Sequence, residues 1–352
     1  MKLLIIGDPH FRVDNIPECE LFITQTADLI SSLKSNQEID AIVVLGDILH
    51  THEKIHTLAL NMAIRFFDVC RKEFPTYVLV GNHDATSNTI FLESSHWMNA
   101  LKGWNNIFII DQPTFLLDTK DVLLCPYVPD GRFVEALNTI PGWKKTKLIC
   151  GHQLLNGAKM GAIVANGIEE WLEDFPPLIS GHIHDKQRIK PNLLYVGSSM
   201  QHAFGETADK TLLVYDVETK VERFIELNIP KKKIMYVNAT DIETAFKKID
   251  DNHLYKIVIR GDPAECKAIK SSSGLKRLKD LENVKRIQIK EDKKVEDEVE
   301  ETDEKDVDVP IKNEGFLDIL KKIVEERNDI YVTSLFNSCL ELGEDISENP
   351  NF

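Results

Sequence analysis

Five times in its first 184 residues the chain repeats one device: a short apolar run, a glycine, and then a side chain able to bind a metal ion. KLLIIGDPH (2–10) presents Asp8 and His10, AIVVLGDILH (41–50) presents Asp47 and His50, and YVLVGNHD (77–84) presents Asn82 and His83. KLICGHQ (147–153) presents His152, and PLISGHIH (177–184) presents His182 and His184. The spacing between occurrences is irregular, so this is a recurring local device and not a repeat architecture. Apolar runs of this length read as buried strands. Glycine lets the backbone turn sharply and approach its neighbours with no side chain in the way. The next residue is then delivered beyond the carboxyl end of the strand, where open α/β sheets bind their ligands. The polar groups are therefore expected to converge in one crevice.

Taken singly, an Asp or His after a strand is more often a turn former or helix cap than a ligand. Five occurrences together, with the uncommon strings GNHD and GHIH among them, make a specific signal. Asp8, His10, Asp47, Asn82, His152, His182 and His184 offer two carboxylates, an amide and four imidazoles, more than one ion needs. Such a set suits two divalent metals sharing a carboxylate, and a pair about 3.5–4 Å apart is a device for phosphate-ester displacement. Mixed oxygen and nitrogen ligation without thiolate favours Mn, Fe or Zn.

The chain has 352 residues, 43% of them hydrophobic, which suggests two or three domains with sizeable cores. No apolar run approaches the ~20 residues that span a bilayer, and MKLLII is too short for a signal segment. Six scattered cysteines without a CxxC fit a reducing compartment, cytoplasmic or nuclear in a eukaryotic host, and not secretion. The net charge of −15 is unevenly spread: residues 291–308 hold eleven acidic and three basic residues, whereas 231–290 hold fifteen basic and eight acidic. A local basic surface attracts phosphate backbones even on an acidic protein. The same excess also fits an ordinary solvated face.

Residues 1–230 alternate strand and helix and then turn β-rich, with hairpins expected over FLLDTKDVLLCPYV and TLLVYDVETKVERFIEL. Helices are expected near 20–35 and over 56–73, the latter with Leu60, Ile64, Phe67 and Cys70 toward the core. The fold class that follows is α/β: a two-sheet β-sandwich flanked by helices. Residues 231–290 read β-α-β-α-β, a small basic α/β unit with Asp241 as a helix N-cap. Residues 291–313 form an acidic segment expected to be a flexible linker. Residues 314–343 read as a pair of amphipathic helices, with Phe316, Ile319, Leu320, Ile323 and Val324 on one face, then Val332, Leu335, Phe336, Cys339 and Leu340. Such helices either fold back on the body or dock on a partner.

DPH, GDILH, GNHD, GHQ and GHIH, in this order, resemble the signature motifs of the calcineurin-like metallophosphoesterases over about residues 1–205. The resemblance implies the metallophosphoesterase sandwich with a two-metal site at one edge. It implies Asp8, His10 and His184 on one ion, Asn82, His152 and His182 on the other, and Asp47 bridging. His83 takes the place of the general acid, a role suited to a side chain whose pKa lies near neutrality. GDILHTH and GNHD differ from the GDxVDRG and GNHE of protein Ser/Thr phosphatases. GDILH, with His50, and YVGSSMQHAFGE (195–206) are instead similar to the SbcD-type double-strand-break nucleases and their phage recombination-endonuclease relatives.

That branch implies a DNA exonuclease and endonuclease acting at DNA ends in recombination and repair, with two Mn2+ ions and His50 steadying the phosphate. It also implies a DNA-binding capping domain at 231–290, docking of 314–343 on an SMC-like ABC ATPase of the SbcC type, a homodimer, and no membrane association. Two features stand apart from it: His52 and His56 lie close enough to His50 to compete for its role, and the acidic character of the linker does not follow from the branch. The alternatives are a small-molecule phosphodiesterase or phosphatase of the same superfamily, and a non-catalytic scaffold. The scaffold is disfavoured because every ligand position is filled.

Overall fold

The structure, a computed structural model, describes residues 1–51, 54–116 and 119–291. The acidic segment beyond Glu291, the helix pair 314–343 and His52 lie outside the described residues.

Two six-stranded sheets are stacked face to face. The first runs, edge to edge, β14 (Glu222–Glu226), β13 (Thr211–Asp216), β1 (Lys2–Ile6), β2 (Ala41–Val44), β3 (Thr76–Leu79) and β4 (Ile107–Ile110). β1 to β4 are parallel, and the β13–β14 hairpin joins antiparallel to β1. The second runs β11 (Gln187–Lys190), β12 (Leu193–Tyr195), β10 (Leu178–Gly181), β7 (Leu148–His152), β6 (Val122–Leu124) and β5 (Thr114–Phe115). Its central four strands are parallel, and both expected hairpins are present as β5–β6 and β13–β14. A separate two-stranded hairpin, β8 (Lys159–Met160) and β9 (Ile163–Val164), follows β7.

β1 shows why the runs are continuously apolar. Leu3 and Ile5 belong to the layer between the sheets, and Leu4 and Ile6 to the layer beneath the helices, so both faces are buried. On the outer face of the first sheet lie α1 (Ile16–Ser35) and α2 (Thr57–Glu73), joined to it through Phe22, Ile30, Phe66 and Phe67. The second sheet is covered by α3 (Phe133–Leu137) and by Trp143, Trp171 and Phe175.

The buried face of α2 differs from the expected one. Ala59, Met62, Ala63, Phe66, Phe67 and Cys70 are buried, while Leu60 and Ile64 sit half-buried at its margin. Two of the buried positions, Ala59 and Ala63, are alanines, and a reading that weighs only large apolar side chains misplaces the face.

Residues 231–291 form a third sheet of three parallel strands, β15 (Lys231–Asn238), β16 (His253–Gly261) and β17 (Val284–Glu291). They are connected by α4 (Glu243–Lys248), α5 (Pro263–Lys270) and α6 (Ser273–Lys279). Val237, Ile257, Ile259 and Leu278 make their own core. Asp241 does not cap a helix. It ends a 3-10 turn (Ala239–Asp241) that runs on through Ile242 in α conformation, leaving no extended residue for a cap. Side-chain caps lie at α5, where Asp262 and Glu265 form a reciprocal capping box, and at α6, where Ser272 Oγ accepts from Leu275 N–H (3.1 Å). No helix of the described residues is long and apolar enough to cross a membrane.

Candidate metal centre

The five strand ends meet at one rim, and they come very close. A Cβ on Gly81 would lie 2.2 Å from Asp47 Oδ1 and 2.3 Å from Asp47 N, and one on Gly7 would lie 2.1 Å from the Gly197 carbonyl oxygen. Close approach is therefore what these glycines supply. The sharp turns fall on the polar residues themselves: Asp8 (φ 36°), His10 (42°), Asp47 (51°) and His182 (77°), whereas of the five motif glycines only Gly46 has positive φ. Each such non-glycine residue costs on the order of 1–3 kcal/mol and concentrates at functional sites. Asp84 clamps the rim from below. Its carboxylate accepts from the backbone N–H of Ile48 (3.1 Å) and Gly81 (3.1 Å) and from Trp97 Nε1 (3.1 Å), which ties the GDILH loop to the GNHD loop.

All seven expected ligands are brought together, in two nests. In one, Asn82 Oδ1 lies 3.0 Å from His152 Nε2 and 2.9 Å from His182 Nδ1, the two rings approach to 3.3 Å, and Asp47 Oδ1 is 3.4 Å from His152 Nε2. In the other, His10 Nε2 is 3.0 Å from His184 Nε2 and 3.4 Å from Asp47 Oδ2. Donor atoms of Asp8, His10 and Asp47 all lie within 4.8 Å of one another. Asp47 thus turns one oxygen to each nest.

The rear nitrogens fix the tautomers. His152 Nδ1–H donates to the Leu45 carbonyl (2.7 Å), leaving the Nε2 lone pair toward the first nest. His184 Nδ1 faces Glu206 (3.4 Å), leaving Nε2 toward the second. Asp8 Oδ1 accepts from His182 N–H (2.9 Å), but the buried Oδ2 has no hydrogen-bond partner. An orphaned carboxylate oxygen beside imidazole nitrogens facing each other at hydrogen-bond range is the donor set a cation satisfies. The residues fit divalent metal ions.

The electrostatics agree with that fit. Burial lowers the basicity of His10 and holds His182 at about 3, so both rings are neutral, the form in which an imidazole can bind a metal. Burial also opposes charge on His152, but Asp47 and Asp8 outweigh it and raise the ring to about 9, so a cation at this nest would take the place of a proton on Nε2. Burial acts upward on Asp47, yet His152, His10 and His83 hold it well below the usual carboxylate range. Burial raises Asp8 to about 6, with Asp47 adding to the shift and His152 opposing it. Buried carboxylates here draw positive charge to one point.

His50 and His83 stand at the open side of the rim. Their rings stack at 5.6 Å and 9°, and His83 Nδ1–H donates to the His50 carbonyl (2.8 Å) while its N–H donates to Asp47 Oδ1 (2.9 Å). His83 Nε2 is 4.0 Å from Asp47 Oδ2, and His50 Nδ1 is 3.4 Å from His10 Nδ1. His56 is occupied elsewhere, because its ring accepts from Leu58 N–H (3.2 Å) as the N-cap of α2.

Two further neighbours do not follow from the strand-end pattern. His202 is buried, donates from Nε2 to the Asp8 carbonyl (2.9 Å), and stands 5.0 Å from the His10 ring and 5.3 Å from that of His184. Glu206 orients His184, accepts from His202 N–H (3.0 Å) and pairs with Lys210 (3.2 Å). Both stand in YVGSSMQHAFGE, five and nine residues after Gly197. A search for donors placed directly after an apolar strand and its glycine passes over them, because Glu206 follows Gly205 in a loop and His202 follows Gln201.

Clustered Asp, Asn and His at the ends of parallel strands in a two-sheet sandwich define a metal-dependent class of protein. The family model for calcineurin-like phosphoesterases (Metallophos) matches residues 1–216, and the chain belongs to that family. It is similar, at 45% identity over 283 residues, to the candidate phosphoesterase 244L of Invertebrate iridescent virus 6, covering 77% of this chain and 98% of the relative. It is also similar, at 37% identity over 351 residues, to the candidate phosphoesterase 078R of Invertebrate iridescent virus 3, covering 97% of each chain. The family is one of phosphoesterases that use divalent metal ions.

Proposed function

We propose that this phosphoesterase is a metal-dependent DNA nuclease of the SbcD type, hydrolysing phosphodiester bonds at DNA ends as exonuclease and endonuclease. The observation that carries the reading is a cationic cavity of about 460 Å3 lined by Arg12, Lys232, Lys256, Lys285 and Arg286. Lys256 and Arg286 are register partners on one face of the third sheet, opposite the face that carries its core. The register shifts between Tyr255 and Lys256, and this bulge lets the adjacent Lys285 line the same cavity as Arg286. Arg12 is paired with Asp14 and Lys232 with Glu18. Among the described residues, no carboxylate stands within ion-pair distance of Lys256, Lys285 or Arg286. Ala203 and Phe204 line both this cavity and the mouth that holds His182 and His184. Repeated cations leading to a phosphoesterase centre suit a substrate with repeated phosphates.

In this reading Asn82, His152 and His182 would hold one divalent cation, Asp8, His10 and His184 would hold the other, and Asp47 would serve both, with Mn2+ as the pair. Two such cations supply an activated water and offset charge on both oxygens of an in-line displacement. His83 moves the proton: with Nδ1–H held by the His50 carbonyl, the imidazolium form carries a second proton on Nε2, which it gives to the leaving oxygen to become the neutral Nδ1–H tautomer. His50, stacked on His83, steadies the phosphate; burial and Arg12 lower its basicity.

The second reading is a small-molecule phosphodiesterase, favoured by the relatives' names, which extend no further than phosphoesterase. End-labelled linear duplex DNA and bis(nitrophenyl) phosphate, each incubated with Mn2+ and with chelator, separate the two. Chelator-sensitive DNA cleavage is the expected result, and hydrolysis of the small ester alone moves the protein to the second reading. The ATPase partnership belongs to the same proposal, and deletion of 310–352 tests it. The truncated chain is expected to hydrolyse the small ester yet to lose association with an SMC-like ABC ATPase.

A further inference from the structure

The mouth of the metal centre has a wall that ion binding does not require. His182 and His184 border a cavity of about 550 Å3 that Met160 of the β8–β9 hairpin and Phe204 also line. Met160 pairs with Ile163 across that hairpin, so the two side chains share a face. Both are exposed, Met160 to 42% and Ile163 to 66%. A two-stranded ribbon this short is not stable alone in water, and its base is fastened. Gln187 accepts from Lys159 N–H (2.9 Å) and donates to the Lys159 carbonyl (2.8 Å). Gly157 N–H donates to the Ala165 carbonyl (2.8 Å), and Ala165 N–H to that of Ala158 (2.8 Å). Phe204 is held by the same loop that fixes the rim, through the bonds of Glu206 to His202 N–H and Ala203 N–H. Anchored backbone on both sides therefore places a thioether and a half-buried phenyl ring in the lining beside His182 and His184, with the Ile163 alkyl group next to the thioether on the same hairpin face.

We propose that Met160, Ile163 and Phe204 form a stacking subsite for the nucleobase next to the scissile phosphate. The inference rests on the reading above in the part that places an ester phosphate at the metal rim. Because His182 and His184 belong both to the rim and to this cavity, a substituent of that phosphate enters it. Phenyl and thioether groups take the flat face of an aromatic heterocycle of any sequence and gain little from an alkyl alcohol. The subsite discriminates nucleotidyl esters from aliphatic ones, whereas the cationic cavity discriminates long chains from short.

Two measurements test it. In chelator, which stops cleavage, an oligonucleotide carrying 2-aminopurine is expected to be quenched on binding. Phe204→Ala and Met160→Ala are each expected to weaken that quench about tenfold in affinity, and Phe204→Tyr to restore it. With Mn2+, the ratio of kcat/KM for thymidine 5′-(nitrophenyl phosphate) over methyl nitrophenyl phosphate is expected to fall about tenfold in the alanine variants, through KM. Equal loss on the two esters, or a quench unchanged by Phe204→Ala, overturns the subsite. Absence of DNA cleavage by the native chain with this selectivity intact overturns the DNA reading and leaves the subsite standing.

Discussion

The metal rim and the third sheet place their polar groups in opposite ways. At the rim, carboxylates and imidazoles are packed against one another, Asp8, His10, Asp47 and His182 at positive φ, and Gly81 is held at contact distance from Asp47. In the third sheet the cations lie on a relaxed strand face and reach into a broad cavity. The rim accepts strain and desolvation so that donor atoms are fixed to within fractions of an ångström, which metal chemistry needs. On the third sheet Lys256, Lys285 and Arg286 accept little of either, since long-range attraction between charges tolerates position, whereas Lys232 at the start of β15 is buried and paired with Glu18. The loop between them, Met200–Glu206, is bonded to both. His202 reaches Asp8 and Glu206 reaches His184, while Gln201 exchanges hydrogen bonds with the backbone of Lys232 at the start of β15.

The comparison predicts effects of very different size. Asp47→Ala removes the one carboxylate common to both nests, so metal content by mass spectrometry and ester hydrolysis are both expected to fall to background. A metal-replete Asp47→Ala chain would contradict the two-nest geometry. His83→Ala removes the proposed proton donor and leaves all seven candidate ligands in place. It is expected to keep its metal while kcat falls by about 10²–10⁴, and retained turnover removes His83 from the chemistry. Gly81→Ala drives a Cβ into Asp47 and is expected to lower stability by about 1–3 kcal/mol and to loosen metal binding. Gly103→Ala, where nothing lies within 4 Å of the added carbon, is its control and is expected to change neither.

Much of the rim is legible in the sequence because its chemistry is written beside its geometry: strand, glycine and donor are contiguous at Asp8, Asp47, Asn82, His152 and His182. His202 and Glu206 escape that pattern because a loop, and not a strand end, delivers them. Residue type assigns the sharp turn to the glycines, but torsions are not visible in residue type, and the fold forces positive φ on Asp8 and Asp47 instead. In the third sheet the basic excess is legible as composition only. That Lys256, Lys285 and Arg286 line one cavity depends on the pairing register and on a bulge, and both are properties of the partner strand. Asp241 shows the same limit: a capping residue type marks a helix start only where the backbone at that position is extended, and there it is not.

Smaller effects belong to the third sheet. Lys256→Glu combined with Arg286→Glu is expected to weaken duplex DNA binding and to reduce the slope of log K against log salt by about 0.9 for each phosphate no longer neutralised. The ratio of DNA cleavage to bis(nitrophenyl) phosphate hydrolysis is expected to fall with it. An unchanged salt slope would show that the cationic face does not meet the phosphates.

The smallest effect concerns the sheet's own frame. Asp262 Oδ1 accepts from Glu265 N–H (2.8 Å), and Glu265 Oε2 accepts from Asp262 N–H (3.0 Å). Asp262→Ala removes the first half of this box and is expected to cost about 1 kcal/mol, read as faster hydrogen exchange over residues 263–270. Metal content is expected to stay constant, because α5 packs on β16 and β17 and contributes no donor to the rim. If metal were lost as well, the strain at the rim would be balanced partly by the third sheet through the Gln201–Lys232 pair, and the two regions would have to be treated as one cooperative unit.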